Sequence, residues 1–126
     1  MPGLVATART KAFAGYVGDG THRWAATHRD DAGAVVRLAL EKKVPAGTVL
    51  HATAETGVPM REIAEAIGRG LDVPAGSVPE DQAGAHFGWL GKFAGADMAA
   101  ASDTTRSLLG WTPSGPSLAE DLGSYL

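Results

Sequence analysis

Apolar residues recur at helical spacing in three stretches of the chain and fill several short runs of strand length between them. Ala32, Val35, Val36, Ala39 and Leu40 fall at i, i+3, i+4, i+7 and i+8, which predicts an amphipathic helix starting at Asp30 or Asp31. An aspartate at that start accepts from unpaired first-turn N–H groups. Lys42 and Lys43 lie where the helix dipole favours cations, and Pro45 and Gly47 end the element. A second stripe, Met60, Ile63, Ala64, Ile67 and Leu71, follows Pro59 and is ended by Gly68 and Gly70. Leu4, Val5 and Ala8 mark a shorter helix over residues 3–11.

Thr48-Val49-Leu50-His51-Ala52-Thr53 has the length and β-branched content of a strand, and it alone reads as part of a substantial sheet. Briefer extended pieces are expected at Tyr16–Val17, Trp24–His28 and Gly76–Val78. Pro79-Glu80-Asp81 opens another helix, and Trp89, Leu90 and Phe93 suit a further short one. Ser102 is placed to cap a helix that Gly110 stops, and Ser117-Leu118-Ala119-Glu120 has the form of a capping box. The expectation is a single α/β (α+β) domain over residues 1–126, mostly helical with a few short strands.

Composition narrows the function classes. A formal charge of −3 with no Lys/Arg cluster argues against nucleic acid as a partner. The absence of cysteine excludes disulfides and thiolate metal sites and fits a reducing, cytoplasmic setting. No apolar run approaches the roughly 20 residues that span a bilayer, so no membrane partner is expected. Two His without Cys do not supply the convergent ligands of a zinc site.

The ordered pattern Gly18-Asp19-Gly20-x-x-Arg23-Trp24-x-x-x-His28-x-x-Asp31-Ala32 is followed by the strand at 48–53, the helix from Pro59 and Leu109-Gly110-Trp111-Thr112-Pro113. Together they resemble the C-terminal, substrate-binding part of extended short-chain dehydrogenases/reductases, the NAD-dependent epimerase/dehydratase-like group. The likeness runs from about Leu4 to Leu122. It implies a truncated family member, because the Gly-rich turn that holds the cofactor pyrophosphate is absent. Gly15-Tyr16-Val17-Gly18-Asp19-Gly20 has the wrong spacing and no helix follows it. The family's Tyr-x-x-x-Lys pair is absent too, since Gly20 stands four residues after Tyr16 and Tyr125 is next to last. No cofactor is expected in this chain, and NAD or NADP enters only if a partner supplies the dinucleotide-binding part.

By the same resemblance, Arg23 and Trp24 line the substrate pocket, the first as a fork for carboxylate or phosphate and the second as an apolar wall. His86, Phe87 and Trp89, with Phe93, correspond to an aromatic cover near the substrate. The plainer reading makes Arg23 a structural partner of Asp19 or Asp31 and the aromatic residues core. His28, His22 and Asp31 are the candidates for acid–base work. Their structural alternatives are a ring hydrogen-bonded at a helix start for His28 and an N-cap for Asp31. His51 reads as half-buried structure.

Three functions follow. The first is a truncated dehydrogenase/epimerase-like protein that binds a small organic molecule, or completes an oxidoreductase with a partner chain, without autonomous NAD(P) redox activity. The second is a cofactor-independent isomerase or cyclase acting on a small apolar substrate. The third is a non-catalytic interaction subunit. The face left by the missing part predicts a homo-oligomer or a hetero-association.

Overall fold

The computed structural model describes residues 1–126, and its architecture is α+β. Helix α1 (Pro2–Lys11) leads into strand β1 (Ala14–Val17), then β2 (Arg23–Ala26), helix α2 (Arg29–Glu41) and β3 (Glu55–Pro59). Helix α3 (Met60–Leu71) and strand β4 (Ala75–Val78) follow. Four short helices complete the chain: α4 (Ala83–Phe87), α5 (Gly91–Ala94), α6 (Asp103–Leu109) and α7 (Leu118–Asp121).

Two separate two-stranded ribbons replace a continuous sheet. β1 pairs parallel with β4, Ala14 opposite Ala75, and β2 pairs antiparallel with β3, Arg23 opposite Pro59. Met98 adds a short parallel bridge to β2 at Trp24. The main core forms where α3 packs on β1 and α1. Met60, Ile63, Ala64 and Ile67, four of the five residues in the α3 stripe, are buried there with Leu4, Val5 and Phe87, while Leu71 is half-buried. A second, smaller core joins Val35 of α2 to Leu109 and Trp111.

Three local expectations fail for identifiable reasons. Residues 48–53 form no strand, because nothing lies alongside to complete a ladder. Their only partners are Thr105 Oγ1, which accepts from His51 N–H at 2.9 Å, Ser102 Oγ, which donates to the Thr53 carbonyl at 2.6 Å, the Ala101 carbonyl against the His51 ring at 3.1 Å, and the Pro45 carbonyl at Thr48. The Ser102 hydroxyl is thereby spent on residue 53 and does not cap α6. The N-cap of α2 is His28, not an aspartate: its Nδ1 accepts from Asp30 N–H.

The α2 stripe is covered on one flank only. Val35 is buried and Ala32 and Ala39 are half-buried, but Val36 and Leu40 are 62% and 75% exposed. Val49, on the neighbouring segment, is 75% exposed as well.

Candidate functional site

Arg23 opens β2 and lies half-exposed over the ribbon. Gly57 makes room for it: a Cβ there would come within 2.9 Å of Arg23 Cβ and 3.2 Å of its Cδ. The guanidinium neither pairs with Asp19 nor with Asp31. It grips Asp97, 74 residues away in sequence, through Nε at 3.1 Å and Nη2 at 2.8 Å, while the Arg23 backbone N–H donates to the same carboxylate at 2.7 Å. These bonds hold the Asp97 carboxyl below the usual carboxylate range and push the Arg23 guanidinium up. His22 adds a smaller favourable charge to Asp97 and to Asp19, whose carboxylate is lowered chiefly by its bonds from Thr21. His22 is otherwise tied in through its carbonyl, which accepts from Met60 N–H at 2.8 Å.

Trp24 turns to the opposite side of the ribbon, as successive strand residues must. It packs with Val58 on the main core and donates its Nε1–H to the Phe93 carbonyl at 3.3 Å. Arg23 and Trp24 therefore do not face one another across a pocket. Trp89 is 77% exposed and meets Phe93 edge to face, with ring centroids 6.2 Å apart. His86 and Phe87 go elsewhere. Phe87 is buried in the main core, and His86 stands edge-on to Phe13 and Phe87, against Gly15. The five expected substrate-binding residues fall into three places: Trp24 and Trp89 are linked through Phe93, His86 and Phe87 touch each other with ring centroids 4.6 Å apart, and Arg23 joins neither pair.

His86 Nε2 is buried without a hydrogen-bond partner. Burial, and secondarily the charge of Lys11, lower the His86 pKa from the ordinary 6.5. The folded state thus disfavours the protonated ring, so this contribution to stability is complete above pH 6.5 and is lost as pH falls below it. We expect the melting temperature to drop between pH 7.5 and 5.5, and His86→Phe to flatten that part of the profile. An unchanged slope in the variant would assign the drop to other groups.

His28 and Asp31 are both engaged in holding the chain together. With its Nδ1 lone pair facing the Asp30 amide at 3.3 Å, the neutral His28 ring carries its proton on Nε2. The nearby Asp30 carboxylate, at 3.6 Å, is the longer contact and does not set the tautomer. Asp31 is buried, and its two carboxylate oxygens each accept one N–H at 2.9 Å, from Ser114 and from Gly115. Its carbonyl accepts from Trp111 Nε1–H at 3.1 Å. Neither residue is left free for proton transfer to a ligand through these atoms.

A polar recess of about 290 Å³ lies beside His28, between the end of β2 and α7. Glu55, Asp121 and Tyr125 contribute to its wall, and Glu55 is oriented there by Leu118 N–H at 2.7 Å. Sequence reading did not find this recess, and it also missed Asp97. Both unite residues far apart in the chain, for which no spacing rule gives a signal.

No family model and no solved structure matches the chain. It is similar to an uncharacterized protein of Schizosaccharomyces pombe, 43% identical over 124 residues, covering 98% of this chain and 42% of that one. It is similar also to an uncharacterized protein of Saccharomyces cerevisiae, 43% identical over 122 residues, covering 97% of this chain and 41% of that one. The chain thus spans about two fifths of the length of the curated relatives it matches.

Proposed function

We propose that this chain is the substrate-side part of an extended short-chain dehydrogenase/epimerase-like protein, with Arg23 as a ligand-binding residue and no autonomous NAD(P) chemistry. A dinucleotide-binding part, in the same polypeptide or in a partner, supplies the cofactor. The observation that carries this reading is the open flank made by α2 and residues 49–53. There Val36, Leu40 and Val49 are exposed, while their sequence neighbours Val35, Ala39 and Leu50 belong to the small core. The backbone N–H groups of Val49, Leu50, Ala52 and Thr53, and the carbonyls of residues 49–52, find no partner within the chain. A stretch with strand composition and free backbone groups is suited to adding to the edge of another sheet. The two yeast relatives are more than twice as long as this chain, which leaves room for such a sheet.

The two hydrogen bonds of the Asp31 carboxylate weigh against Asp31, though not against His28 or His22, as the acid–base group of the alternative cofactor-independent isomerase. A thermal-shift titration with NAD(H) and NADP(H), read beside the mass in solution, tests the proposal. The expected result is no shift with either dinucleotide and a dimer or larger species. A dinucleotide at 100 times its dissociation constant adds about 2.7 kcal/mol, so a site in this chain would be plain to see. A clear shift, or a stable monomer that binds no dye for exposed apolar surface, would overturn the proposal.

A further inference from the structure

We propose that the recess between the end of β2 and α7 binds a small hydroxylated primary amine, an amino alcohol whose ammonium group joins Glu55 and Asp121. The inference goes beyond the half-enzyme reading and does not rest on it, since every residue it uses lies within this chain.

The recess holds about 290 Å³, the small end of the roughly 300–1,000 Å³ of ligand pockets. Two half-buried carboxylates line it, Glu55 at the start of β3 and Asp121 at the end of α7. Neither forms an ion pair within the chain. Arg29 also borders the recess, but its side chain is 89% exposed and its partner is Asp30, at 3.7 Å. Leu118 N–H holds Glu55 by Oε2 at 2.7 Å and leaves Oε1 without a partner. The bonds of Asp121 run through its backbone, to the Ser117 carbonyl at 2.9 Å and from the Ser124 hydroxyl at 2.8 Å, so its carboxylate is unengaged. Two partly desolvated carboxylates on one recess repel each other, and a cation between them relieves both costs.

A second, independent sign of a ligand lies on the same wall. Thr27 Oγ1 is buried with no hydrogen-bond partner, an uncommon state for a polar atom in a folded protein. An ammonium carries three N–H donors and no acceptor. Glu55 and Asp121 take two of them, and the Thr27 hydroxyl takes the third once it turns about χ1 toward the recess. His28 offers the opposite polarity. Its Nδ1 accepts from Asp30 N–H at 3.3 Å, so Nε2 carries the proton and has no acceptor in the chain. A hydroxyl oxygen on the ligand accepts from it. Tyr125, 40% exposed, adds an aromatic wall for the cation or its alkyl stem. A metal ion suits the recess less well, because no set of three His, Cys, Asp or Glu side chains converges there to hold one.

Ethanolamine titrations followed by the amide NMR signals of Thr27 and Leu118 test this in wild type, Asp121→Asn and Glu55→Gln. Sodium chloride at matched ionic strength, ethylene glycol and magnesium chloride are the controls. The expected result is a saturable shift with ethanolamine alone and about a fivefold higher half-saturation in each variant. The Asp121 carboxylate has no partner within the chain, so Asp121→Asn reads the ligand contact and not the fold. An unchanged half-saturation in either variant that melts like wild type would overturn the proposal. So would an ethanolamine response no larger than that of sodium chloride up to about 50 mM. An equal response to ethylene glycol, or a larger one to magnesium, would overturn the amine as the ligand class. None of these outcomes bears on dinucleotide binding or on the mass in solution, so the amine site and the half-enzyme reading fail separately.

Discussion

Asp31→Ala is expected to lower the free energy of unfolding by about 3 kcal/mol, the largest loss from any single polar side chain in the molecule. The buried carboxylate accepts from Ser114 and Gly115 N–H groups at 2.9 Å each, and its removal leaves both donors unpaired beside the first turn of α2. A hydrogen bond to a charged group is worth about 1.5–3 kcal/mol, and the negative charge at a helix N-terminus adds a few tenths more. For a chain of this length the loss corresponds to roughly 10–20 °C in melting temperature. Asp31→Asn keeps one acceptor but turns a donor toward the other amide, so it recovers only part of the loss. Gly115 belongs to the same contact, since a Cβ there would stand 2.8 Å from Asp31 Oδ2 and 2.9 Å from His28 Cβ. Thermal and urea melts of Asp31→Ala and Asp31→Asn check the order. A variant within about 0.5 kcal/mol of wild type would show that the bonds to residues 114 and 115 are not retained in solution.

That contact also marks where the sequence was legible. The spacing of Met60, Ile63, Ala64 and Ile67 placed α3 and its buried face, because a helix stripe depends only on neighbours three and four residues away. The capping box at Ser117 and Glu120 was equally local, and both of its bonds are present. The link between Asp31 and the segment after Trp111 was not legible as a contact: 83 residues separate Asp31 from Ser114. An aspartate at a helix start has a sufficient local explanation as a cap, and that explanation hid the long-range one. In fact His28 caps the helix and leaves Asp31 for the other task. The same limit applies to Arg23. Asp19 and Asp31 were the partners expected from nearby sequence, whereas the fold delivers Asp97. At 48–53 the local pattern was read as a strand, but a strand is a relation between two segments, and no second segment pairs with this one.

The two cores are expected to differ in stability. The main core buries thirteen residues, whereas the core under α2 consists of Val35, Leu109 and Trp111 with half-buried neighbours such as Leu38 and Leu50. Trp111 dominates the smaller one: it is 3% exposed, donates to the Asp31 carbonyl, and has the Arg106 guanidinium 5.5 Å from its ring centre. Trp111→Ala removes most of the apolar area holding α2, at a cost of about 3–5 kcal/mol. Because so little else covers α2, that cost exceeds what its local packing supplies, and the helix should open without global unfolding. Native-state hydrogen exchange is therefore expected to show α2 amides already less protected than those of α3 in the wild type. In Trp111→Ala, α2 protection disappears while that of α3 persists. A uniform loss across both helices would mean a single cooperative unit, and the open flank of α2 would then need no further chain to complete its stability. Retained α3 protection means that α2 and residues 49–53 form the weak side of this domain, the side that a covering sheet would stabilise most.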